Sequence, residues 1–87
     1  MEVVRHPKLE KRIELLSPKI RLAFANRLEL FLTDPHHPLL NNHALSGERH
    51  GFRSLNITGD WCLIYKKLDE QSILLTEIGT HHNLYGT

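Results

Sequence analysis

Three strand-length apolar runs fill the second half of the chain, and the links between them restrict the topology more than any other feature. "FRSLNI", "WCLIYKKL" and "SILLTEIG" are separated only by Thr58-Gly59-Asp60 and by Asp69-Glu70-Gln71. A parallel return needs a crossover of a dozen residues or more, so these runs can pair only as antiparallel neighbours in a β-meander. The first half has a different period. "HPKLEKRIELL" carries Leu9, Ile13 and Leu16 at helical spacing, and "KIRLAFANRLELFL" carries Ile20, Phe24, Leu28, Phe31 and Leu32 on one stripe. Between them Ser17-Pro18 is a restart signal, because serine caps orphan amides and proline is tolerated at the first helical position. Thr33-Asp34-Pro35 ends the second helix. The β-branched "EVVR" reads as a first strand, and "HHPLLNNHALSGERHG" reads as a loop. The expected fold is α+β: an N-terminal strand and a helical hairpin packed on one face of an antiparallel meander.

Eighty-seven residues make one domain, 1–87. At 40% hydrophobic and 24% charged the chain reads as soluble and globular. A single cysteine, Cys62, excludes an intrachain disulfide and suits a reducing cytoplasm. The N-terminal residues lack the apolar stretch of a secretory signal, and no segment has the length of a membrane span. A net charge of +1 neither proposes nor rules out nucleic acid.

The meander gathers chemistry at one end. Folding the last two strands about Glu70 sets Trp61 beside Gly79 and Asp60 beside Thr80, next to His81. Folding "FRSLNI" on Thr58-Gly59 brings Asn56 beside Trp61. Adjacent strands are about 5 Å apart, so Asn56, Asp60, Trp61 and His81 meet where strands end. Tyr85 follows His81 by four residues and points the same way if the tail makes one helical turn. Arg53 shares strand parity with Leu55 and Ile57, the core side, which reads as a structural role.

At these residues "HALSGERHGFRSLNITGDWCLIYKK" and "IGTHHNLYG" closely resemble the YafQ-like branch of the RelE/ParE toxin superfamily, the toxic partners of bacterial toxin–antitoxin pairs. The resemblance covers essentially the whole chain and implies a RelE-like fold with a short C-terminal helical turn. It implies a cytoplasmic endoribonuclease, an mRNA interferase that cleaves messenger RNA in the ribosomal A site without a metal or other cofactor. It also implies a cognate antitoxin that wraps the toxin and through which operator DNA is bound, with no membrane partner. Carried over residue by residue, the catalytic positions fall on His43, Asp60 and His81, and the RNA-binding positions on Asn56, Trp61 and Tyr85. Two positions depart from the pattern: Asn56 stands where the best-known member of the family has a second strand histidine, and Glu77 where it has an arginine. His82 and His50 are the candidate replacements, and Lys66, Lys67 or Arg49 the candidate cations.

Such cleavage uses the substrate's 2′-OH as nucleophile, with a base, an acid and donors to the phosphate. Histidine suits both proton roles because its ordinary pKa is near 6.5. On this reading His81 is the acid, His43 is the base or its orienting partner, Asp60 assists, and Trp61 and Tyr85 stack on a splayed base. Two other readings compete. His36, His37, His43, His81 and His82 would have to converge to bind a metal, yet neither H-E-x-x-H nor C-x-x-C is present. The other keeps the fold and drops the chemistry, leaving a weak or inactive toxin that serves as an antitoxin-binding module; Asn56 and Glu77 keep it open.

Overall fold

The structure is a computed structural model describing residues 1–86. The chain runs β1 (Glu2–Arg5), α1 (Pro7–Glu14), α2 (Pro18–Thr33), β2 (His43–Ala44), β3 (Arg53–Thr58), β4 (Trp61–Lys67), β5 (Ser72–Thr80) and α3 (His81–Tyr85). Turns of 3-10 helix at Pro38–Leu40 and Gly47–Arg49 interrupt the loops on either side of β2. The sheet order is β1-β5-β4-β3-β2; β1 lies parallel to β5 and every other pair is antiparallel. The short links impose that order, while the helices return β1 to the far edge.

Each helix begins as its sequence dictates. His6 and Ser17 accept the orphan amides of Lys8 and Ile20 through Nδ1 and Oγ, and Pro7 and Pro18 occupy the first turns. Leu9, Phe24 and Phe31 are buried against one face of the sheet, with Ile13, Ile20 and Leu28 packed at the margin. Leu55, Ile57, Leu63, Tyr65, Ile73, Leu75 and Ile78 supply the sheet side of this core, and Phe31 meets Tyr65 edge-on at 5.1 Å. Leu32, expected on the apolar stripe, is exposed, and Leu16 lies past the end of α1, though it is buried. The segment read as a plain loop also contributes to the core. Leu40 in its 3-10 turn is fully buried, and His43–Ala44 adds a fifth strand by pairing with Ser54 and Arg53.

One irregularity decides what the other face carries. Tyr65 pairs with Leu75 but Ile64 pairs with Glu77, so Thr76 is an extra residue in β5 and its hydroxyl donates to the Ile64 carbonyl at 3.1 Å. Such a bulge changes parity. Leu75 and Ile78, three apart, therefore both face the core, while Glu77 turns to the face opposite α1 and α2. A regular ladder would have buried the Glu77 carboxylate under the helices, at a prohibitive desolvation cost.

Candidate functional site

The face opposite α1 and α2 carries the groups of interest. It is built on Ser54, Cys62 and Ile64, all buried, and is crossed by the loop between β2 and β3 and by α3. Thr80 caps α3: its hydroxyl accepts from the Asn83 amide at 3.2 Å and donates to Asn83 Oδ1 at 2.8 Å. Gly79 lets the helix lie directly on the sheet. A Cβ at that position would stand 3.4 Å from Leu84 Cγ and Cδ2 and 3.5 Å from Asn83 Cβ.

The bulge shifts the pairing at this end by one residue from the expected register. Trp61 lies opposite Thr80 rather than Gly79, and Asp60 meets His81 directly, its carbonyl accepting the His81 amide at 3.0 Å. The structure thus brings Asp60 and His81 together. Tyr85 joins them, its ring 4.9 Å from that of His81. His43 sits on the same face but across the sheet. It pairs with Ser54, which pairs with Ile64, which pairs with Glu77. Three strand spacings, about 14 Å, separate β2 from β5. The two imidazoles flank this face and do not touch. His43 Nδ1 lies 2.7 Å from the Asn41 carbonyl, which can only accept, so that nitrogen carries the proton and Nε2 keeps a free lone pair.

Asn56 and Trp61 are placed differently from expectation. Asn56 lies opposite Cys62, not Trp61, and its amide donates to the Gly59 carbonyl at 3.1 Å, tying off the turn where Gly59 adopts a positive φ. Trp61 turns to the helix side and packs against the core. Arg53 behaves as its parity implies: opposite Tyr65, it donates to Asn42 Oδ1 at 2.9 Å. Lys67 lines a crevice on that side with Arg53, while Lys66 lies over the Phe52 ring at 5.6 Å. Cys62 is buried, and burial pushes its thiol above the ordinary range.

The group that residue-by-residue matching left unassigned is Arg49. From the turn between β2 and β3 it reaches across the sheet. Nη1 bonds Glu77 Oε2 and Nη2 lies 3.4 Å from Oε1, the only ion pair among the described residues. Nη2 also donates to the Leu84 carbonyl at 2.9 Å, and the guanidinium stands 5.5 Å from the centre of the Tyr85 ring. Its pKa is raised, first by the hydrogen bond to Glu77. Sequence alone lists Arg49 as one cation among three, because its partner is 28 residues away. Among the described residues no three His, Cys, Asp or Glu side chains gather as a metal-binding group, and no helix is long and apolar enough to cross a membrane.

This fold, with a titratable cluster where β4 meets α3, defines a small RelE-like toxin domain. Residues 4–86 match the family model described as the bacterial toxin of type II toxin–antitoxin system, YafQ, and the chain belongs to that family. The structure resembles YafQ from E. coli strain BL21(DE3) with a TM-score of 0.81 at 21% identity over 98% of both chains. It resembles the E. coli DinJ–YafQ toxin–antitoxin complex with a TM-score of 0.72 at 26% identity, over 98% of this chain and 97% of the other. A YoeB/ParE toxin from Agrobacterium tumefaciens shares the fold with a TM-score of 0.78 at 15% identity, over 93% and 99%. No curated protein matches the sequence.

Proposed function

We propose that this toxin is an mRNA interferase: a metal-independent, ribosome-dependent endoribonuclease that a cognate antitoxin holds inactive. The observation that carries the reading is the pinning of His81 against Asp60, with Tyr85 on its ring, on the same face as a His43 whose Nε2 is free. His43 takes the proton of the 2′-OH, and the 2′-oxygen attacks the adjacent phosphorus. The P–O5′ bond breaks as His81 delivers a proton to the departing 5′-oxygen, leaving a 2′,3′-cyclic phosphate and a 5′-OH. Asp60 contributes through its main chain, its carbonyl holding the His81 amide. Acid and base each act within hydrogen-bond reach of their oxygen, so this reading requires β2 and α3 to draw together when RNA binds.

The antitoxin follows from the family and from complexes such as DinJ–YafQ. Its binding segment covers the His81 end, and operator DNA is reached only through it. Primer-extension mapping of transcripts after induction tests the activity. The parent gives new stops within coding regions and His81→Ala gives none; equal stops from both would refute the acid assignment. The second reading, an antitoxin-binding module without chemistry, is favoured by the commitment of the Asn56 amide to Gly59. Harmless expression of the parent, with stable antitoxin binding, would establish it instead.

A further inference from the structure

Glu77 stands where phosphate chemistry would least want a carboxylate, but both of its oxygens are turned onto Arg49. The guanidinium has five N–H donors. Glu77 takes two and the Leu84 carbonyl a third, so Nε–H and one N–H of Nη1 have no partner among the described residues. Arg49 and Tyr85 line the same open groove of about 410 Å³, together with Leu45, Ser46, Glu48 and Leu84. Tyr85 Oη is buried, so the groove meets the ring of Tyr85 rather than its hydroxyl.

We infer that Arg49 forms the phosphate-holding part of the site, and that Glu77 is the positioning residue for Arg49. This rests on the nuclease reading above. The ligand class is the phosphodiester of single-stranded RNA. The two open N–H groups lie on opposite edges of the guanidinium, so a phosphate takes one of them as a single charge-assisted bond. Arg49 belongs to the loop after β2 rather than to β5, so the cation arrives from a different part of the chain than the matching of positions implies. The Glu77 carboxylate holds the arm across the sheet, and the Leu84 carbonyl holds it beside the Tyr85 ring. Glu48, on the same groove, is the one other carboxylate that a phosphate meets there.

The test uses the purified toxin on ribosomes carrying a defined mRNA, with single-turnover cleavage and thermal melting measured for each variant. Arg49→Ala lowers the cleavage rate about 10²–10³-fold, the loss expected for a donor to developing charge. Glu77→Gln keeps the guanidinium and removes only its holder, so the rate falls by about tenfold or less. Binding of a 2′-O-methyl RNA oligonucleotide separates the roles further. Arg49→Ala reduces the salt slope of binding by about 1, while Glu77→Gln binds as tightly as the parent or tighter because a negative charge is gone. Arg49→Lys guards against a folding artefact, since it keeps the charge.

A purely structural ion pair predicts equal losses for Arg49→Ala and Glu77→Gln, tracking melting, with the salt slope unchanged; that result overturns the inference. An active parent whose Arg49→Ala variant is equally active overturns it too and leaves the nuclease reading standing. A parent that neither cleaves nor binds RNA removes both.

Discussion

At the scale of single residues, side chains here are defined by what they are already bonded to. Nδ1 of His43 is tied to a carbonyl and Nε2 is free; the Asn56 amide is occupied by the turn. Asp69 shows the same economy in the link between β4 and β5. Its Oδ1 accepts the Gln71 amide at 2.7 Å and the Ser72 hydroxyl at 2.9 Å, and these bonds lower its pKa below the ordinary value of 3.8. A carboxyl depressed in the folded state stabilises the fold above its unfolded pKa, and that contribution is lost as pH falls through the folded value. Asp69→Asn is therefore less stable than the parent at neutral pH, and the difference closes as pH drops below about 4. Chemical denaturation of both proteins across that range checks it, and a gap independent of pH would refute it.

The elements place the site, and α3 is the one most exposed to damage. It is five residues long, too short to hold itself together, and depends on the Thr80 cap, the Gly79 contact and the Arg49 bond to Leu84. Gly79→Val forces a branched side chain into a gap already at van der Waals contact, which costs about 1–3 kcal/mol. The sheet survives because its core lies on the other face, so the variant remains folded by circular dichroism while cleavage is lost. Full activity in Gly79→Val would show that the position of His81 does not depend on α3 lying against the sheet. The bulge at Thr76 belongs to this scale too. Its signature was present in the chain, since Leu75 and Ile78 are spaced wrongly for an unbroken strand.

For the whole molecule, one layer of helices over a five-stranded sheet encloses the main core, and the candidate site is carried on the opposite face. Leu63, fully buried in the central strand β4, is the position where this matters most. Leu63→Ala costs about 2–5 kcal/mol, a large share of what a domain this size holds. Urea denaturation measures it, and a loss under 1 kcal/mol would mean that the core lies elsewhere. Antitoxin binding, which stabilises whatever folded form it recognises, raises the midpoint of parent and variant alike.

The sequence by itself determined the two long helices, the three meander strands and the order of those strands. Helical stripes, caps and links of three residues are local features, and local sterics leave them few outcomes; Asp60, His81 and Tyr85 were legible for that reason. Only the tertiary structure decided which face each group looks from. Parity beyond a bulge depends on which apolar residues the core accepts, so Glu77 turned outward and Trp61 turned toward the helices. Long-range packing likewise joined Arg49 to Glu77, because a guanidinium and a carboxylate 28 residues apart meet only when the folded sheet brings the loop after β2 over β5.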